Sequence, residues 1–108
     1  MTHFKNEKRF TESVIKCARQ FGWLVHHVPY YSQKARPYPG FPDILLIKTG
    51  HAPLFAELKM PNGKLSPAQE VWAMTLKIMP EVNYYIWRPK DWDNIIDILT
   101  SEPHYNEP

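Results

Sequence analysis

A single cysteine, Cys17, in 108 residues leaves no partner for a disulfide within the chain and too few thiolates for a cysteine-based zinc site. Long apolar runs are missing as well. The longest purely aliphatic stretch is Ile44-Leu45-Leu46-Ile47, against the roughly 20 residues of a membrane helix. No apolar run follows the charges of the N-terminal segment, so no secretory signal is expected. These absences point to a cytoplasmic compartment. Repeats and low-complexity tracts are also missing. What is present is an ordinary globular composition, 44% apolar and 22% charged, which excludes wholesale disorder. The length suits one domain with one core.

The charge is unevenly spread. Residues 1–64 hold ten Lys/Arg against four Asp/Glu, and residues 65–108 hold three against seven. A basic half is what a phosphate-bearing partner attracts, although uneven charge is also common on small domains.

The periodicity predicts a helix over 6–21, with Phe10, Val14, Cys17, Ala18 and Phe21 on one stripe and Gly22 as its stop. Trp23 to Val28 reads as a strand, on which His26 and His27 face opposite sides. Residues 29–41 form a long loop. Asp43 to Lys48 reads as a strand buried on both faces, and Leu54 to Lys59 as its hairpin return. Ser66 caps a helix that runs to about Met79, with Pro67 at its first position and Gln69 placed to close a capping box. Val82 to Trp87 is a fourth strand, and Asp91 caps a last helix. The expected fold class is α/β, in the order αβββαβα, with a mixed sheet flanked by helices. Residues 1–100 form the domain, and residues 101–108 are expected to fray.

One stretch carries chemistry. Pro42-Asp43 is followed, after thirteen residues, by Glu57-Leu58-Lys59. With Gly50 at the hairpin tip, Leu45 faces Phe55 and Asp43 faces Glu57. Alternation puts Lys59 on the same side. Two carboxylates about 5 Å apart repel by about 3 kcal/mol at an effective dielectric near 20, and cross-strand like charges are normally avoided. Lys59 is a neighbour of Glu57 along the strand and does not easily bridge both acids. A divalent cation with hard oxygen ligands fits better, and the Leu58 carbonyl is a further candidate oxygen. Pro42 forces Phe41 into an extended conformation. Gly40 permits a turn or the close approach of a ligand. The alternative reading is a plain salt bridge from Asp43 or Glu57 to Lys59.

Pro42-Asp43 with Glu57-Leu58-Lys59 resembles the PD-(D/E)XK signature of restriction-endonuclease-like nucleases. The fuller set of Gly22-Trp23, Gly40-Phe41-Pro42-Asp43, Phe55-Ala56-Glu57-Leu58-Lys59, Gly63-Lys64-Leu65-Ser66-Pro67-Ala68-Gln69 and Trp87-Arg88-Pro89 resembles the VRR-NUC family in its small stand-alone phage-type form, over about residues 7–99. The resemblance implies metal-dependent hydrolysis of phosphodiester bonds in a bacterial or phage-infected cell. Asp43 and Glu57 would hold Mg²⁺, with Mn²⁺ as a substitute. Lys59 would orient or help deprotonate the attacking water, or stabilise the charge developing on the phosphate. The family also uses an acid on the first helix. Glu7 shares the apolar stripe with Phe10, Val14 and Ala18, whereas Glu12 lies on the far side. Glu7 is therefore the expected ligand, direct or through water, with a first-turn acid at the helix dipole as its plainer role. Gln69 resembles the family's additional polar residue at the active site. One side chain is not expected to serve that role and the capping box together.

Lys34, Arg36 and Tyr38 in the long loop, and Lys64, are candidate DNA contacts. By analogy with the family, the expected activity is an endonuclease on branched, Holliday-junction-like DNA, acting as a homodimer with no small-molecule cofactor and no membrane partner. The alternative is a binding module for nucleic acid that keeps the fold without catalysis. The intact set of Asp43, Glu57 and Lys59 argues against that alternative.

Overall fold

A computed structural model describes residues 4–27 and 38–103. The expectations for most of the loop 29–41, including Lys34 and Arg36, and for the tail beyond residue 103 lie outside these residues. Helix α1 spans Glu7–Gln20. The side chain of Asn6 caps it by accepting from the Arg9 N–H at 2.9 Å. It ends where Gly22 takes φ +91°. There the Gly22 N–H donates to the Arg19 carbonyl and the Trp23 N–H to the Ala18 carbonyl, the paired bonds of a Schellman motif.

Strands β1 (Leu24–His27), β2 (Ile44–Ile47), β3 (Leu54–Leu58) and β4 (Asn83–Trp87) form one sheet in that order. β1, β2 and β3 pair antiparallel, and β3 pairs parallel with β4. The parallel step requires a crossover, supplied by α2 (Pro67–Ile78). A 3₁₀ turn (Pro89–Asp91) leads into α3 (Trp92–Leu99). The hairpin register is the one the turn at Gly50 predicts, with Ile44 opposite Ala56, Leu45 opposite Phe55 and Leu46 opposite Leu54.

The two faces of the sheet are covered differently. α1 and α3 close one face over Ile44, Leu46, Leu54, Ala56, Leu58 and Trp87 with Phe10, Val14, Ile95 and Leu99, all buried. The indole N–H of Trp23 donates to the Leu99 carbonyl at 3.0 Å and ties α1's exit to α3's end. α2 lies on the other face, against β3 and β4, and leaves the outer part of that face open. Leu24 is 72% exposed and Ile47 39%. The expectation that β2 is buried on both faces is therefore corrected: one helix is too narrow to shelter four strands. The expected capping of the last helix by Asp91 is corrected too. The Asp91 side chain makes no bond to the first turn of α3. Its Oδ2 instead accepts from the Arg88 N–H at 2.8 Å and closes the 3₁₀ turn.

Candidate active site

The site lies at the end of the sheet where β2 begins and β3 finishes. The segment before β2 is pinned from above. Gly40 has φ +84°, and a Cβ there would lie 2.4 Å from the Ala68 carbonyl carbon and 2.7 Å from the Gln69 nitrogen. The close approach this glycine permits is thus to the backbone of α2's first turn. The Phe41 ring meets Trp72 edge-on at 5.0 Å and Phe55 at 6.1 Å. The Trp72 indole N–H donates to the Pro39 carbonyl at 3.0 Å. Pro42 is fully buried. The backbone leading into Asp43 is therefore fixed on one side by α2 and on the other by β3.

The β2–β3 ladder ends at Ile44 and Ala56, and Asp43 extends it with a side chain. Its Oδ2 accepts from the Leu58 N–H at 2.8 Å. The next amide, Lys59 N–H, donates the opposite way, to the Trp87 carbonyl at 3.0 Å. In an extended strand a residue's N–H and C=O point to the same edge, so the Leu58 carbonyl is directed to the Asp43 side.

Glu57 is the only charged residue in the described set that is fully buried. Its Oε1 accepts from Gln69 Nε2 at 3.1 Å. Gln69 Oε1 accepts from the Ser66 N–H at 2.8 Å, and Ser66 Oγ accepts from the Gln69 N–H at 3.2 Å. The expectation that Gln69 must choose between capping α2 and reaching the site is overturned. A terminal amide has an acceptor end and a donor end, and here each end serves one task. The network also fixes the amide's orientation, because only the NH₂ group suits a carboxylate.

Lys59 is half-buried at the end of β3. A Cβ on Gly63 would lie 3.4 Å from its Cδ, so its stem runs closely past the 60–63 turn. That turn is held by Arg88, whose Nη1 donates to the Met60 carbonyl at 2.7 Å and the Gly63 carbonyl at 2.8 Å. Sequence reasoning gave Arg88 no role. The signal it missed is an arginine directly after a strand, with its own amide anchored by an aspartate three residues on. Lys64 is exposed just past this turn, and Tyr38 is 66% exposed beside the pinned segment. His26 is exposed and His27 half-buried, on opposite faces of β1.

Glu7 and Glu12 separate clearly. Glu12 is exposed. Glu7 is half-buried, and its carboxyl is pushed above the usual carboxylate range, first by burial and then by the negative charge of Asp43, with Lys59 pulling the other way. Glu7 thus shares the electric field of Asp43 and Lys59. Among the described residues, no three His, Cys, Asp or Glu side chains stand close enough to hold a metal ion together. The hard-oxygen set at this corner is Asp43, Glu57 and the Leu58 carbonyl, with Glu7 standing further back. Two carboxylates and a backbone carbonyl match the oxygen preference of Mg²⁺ or Mn²⁺.

One neighbour was not singled out by sequence. Tyr84 on β4 has a buried hydroxyl with no hydrogen-bond partner among the described residues. Its phenol is pushed up to about 12 by burial first, then by the charges of Glu57 and Asp43.

Comparison with solved structures finds a VRR_NUC domain that matches this chain with a TM-score of 0.66 and 24% sequence identity, over 84% of this chain and 94% of the other. No family model and no curated protein matches the sequence. No helix among the described residues is long and apolar enough to cross a membrane. The chain shares the α/β fold of that VRR_NUC domain, a mixed four-stranded sheet flanked by helices.

Proposed function

We propose that this chain is a VRR-NUC nuclease that hydrolyses phosphodiester bonds in DNA with Mg²⁺, for which Mn²⁺ substitutes. The observation that carries the reading is the convergence of Asp43, buried Glu57, the Leu58 carbonyl and Lys59 at one sheet end, in a fold shared with a VRR_NUC domain. Asp43, Glu57 and Leu58 would hold the cation, with Glu7 reaching it through water. The bound ion supplies an acidified water and neutralises charge on the phosphate oxygens. Gln69 keeps the Glu57 carboxylate turned toward the site. Lys59 would orient the attacking water or stabilise charge building on the phosphate through its ammonium, or help deprotonate that water as the neutral amine. Tyr38 and Lys64, and from the long loop Lys34 and Arg36, would contact the strand being cut.

The finer reading is a homodimer acting on branched DNA. Val71, Met74 and Ile78 are 64%, 70% and 84% exposed on one side of α2. An apolar stripe of this kind supports a two-fold contact, which would bring two sites to one junction.

The test compares supercoiled plasmid and a four-way junction, each with Mg²⁺ and with EDTA. Wild type should cut only with the metal. Asp43→Asn, Glu57→Gln and Lys59→Ala should each lower cleavage by at least about 100-fold while DNA binding is retained. Wild-type protein that binds but never cuts, over several metals and substrates, would leave a non-catalytic binding module.

A further inference from the structure

β4 pairs with β3 so that Tyr84 lies beside Phe55 and Ile86 beside Glu57. Tyr84 therefore rises from the same face as Phe55 and Glu57, the face that α2 covers and Gln69 reaches into. Its hydroxyl is buried and makes no hydrogen bond within the described structure. Buried phenol groups normally find a partner. Phe41 and Phe55 show that this layer accepts plain aromatic rings, so packing alone does not call for an O–H here. A phenol stays protonated across the neutral range, and the register sets Tyr84 one step along the same face from Glu57. It is thus a donor without an acceptor, next to two acids.

We propose that Tyr84 is a positioning residue of the metal site, its hydroxyl donating to a water that enters with the divalent cation and bridges to the acid pair. The proposal rests on the nuclease reading for the cation, but its test does not rest on cleavage. No protein group among the described residues accepts from the hydroxyl, so the fold gains nothing from it through a bond within the chain. With metal bound it is satisfied.

The test is Tyr84→Phe in the full chain, with Mn²⁺ as the probe. In EDTA the variant should melt at the wild-type temperature or above it. Calorimetry should show its Mn²⁺ affinity lowered about tenfold, as for other outer partners of metal ligands. Saturating Mn²⁺ should raise the wild-type melting temperature more than the variant's at equal metal concentration. A variant that is less stable in EDTA would show that the hydroxyl serves the fold and would overturn the proposal. Equal Mn²⁺ affinity in the two proteins would overturn it alone. A wild-type chain that takes up no Mn²⁺ would overturn it together with the nuclease reading.

Discussion

The two faces of the four-stranded sheet are built on opposite principles. On the α1–α3 face, Ile44, Leu46, Leu54, Ala56, Leu58 and Trp87 are all fully or almost fully buried, and every one is apolar. On the α2 face, Leu45, Phe55, Tyr84 and Ile86 are only partly buried, and the one fully buried side chain is an acid, Glu57. The first face is dry and held together by dispersion and apolar area. The second holds a carboxylate, an amide and a phenol under a single helix whose outer side chains stand in solvent. A half-covered face can hold polar groups whose partners arrive with a ligand, whereas on the first face the strands leave one buried polar atom without a partner among the described residues, the Trp87 Nε1. Stability and chemistry are thus assigned to different sides of the same strands, with β3 contributing alternate residues to each.

The largest effect should come from the dry face. Leu54→Ala, at 1% exposure between α1–α3 and the sheet, should lower the unfolding free energy by about 2–5 kcal/mol, measured by urea denaturation. Gln69→Ala on the opposite face should cost far less stability and far more cleavage. If Gln69→Ala proves as destabilising as Leu54→Ala, the division between the faces fails.

The next effect tests the seam between loop and helix. Gly40→Ala places a methyl group 2.4 Å from α2's backbone at a left-handed φ. Neither strand nor helix can give way cheaply, so the cost should be about 1–3 kcal/mol. Because Asp43 is three residues further on, cleavage should fall by more than the loss of folded protein explains. Activity that simply tracks the folded fraction would show that the seam does not place Asp43.

Most of this architecture is legible in the residues because local rules dominate it. Gly22, Ser66 and Pro67 mark helix ends by capping chemistry that reads directly from sequence, whereas Asn6, read as the first helical residue, proves to be the cap of α1. The hairpin register follows from Gly50 alone. The bond from Asp43 to the Leu58 amide is harder to foresee, since alternation says which face a side chain takes but not which backbone group it meets. Gln69's double role hides because a residue letter does not show that its two ends point apart. Arg88 and Tyr84 join the site only through the parallel β3–β4 pairing, a long-range step with no local signature. The partial exposure of β2 is likewise a matter of how many strands one helix covers, and an aliphatic run does not encode that.

The smallest expected effect separates Glu7's electrostatic place from a mere helix-end role. Its carboxyl is raised above the ordinary 4.5 by burial and by Asp43. A raised acid stabilises the fold while protonated and withdraws that contribution as pH climbs from the unfolded value through the folded one. In metal-free protein, Glu7→Gln should therefore match wild type below about pH 4 and exceed it modestly at pH 7, because glutamine never acquires the charge that Asp43 opposes. Adding Mn²⁺ should narrow or reverse the difference at pH 7, since the cation compensates a carboxylate and does nothing for an amide. Urea denaturation at the two pH values, with EDTA and with Mn²⁺, reads both signs. A first-turn acid serving only the helix dipole gives the opposite result without metal: its loss weakens the protein at pH 7. The sign of one small difference thus decides whether α1 begins inside the site's field or merely beside it.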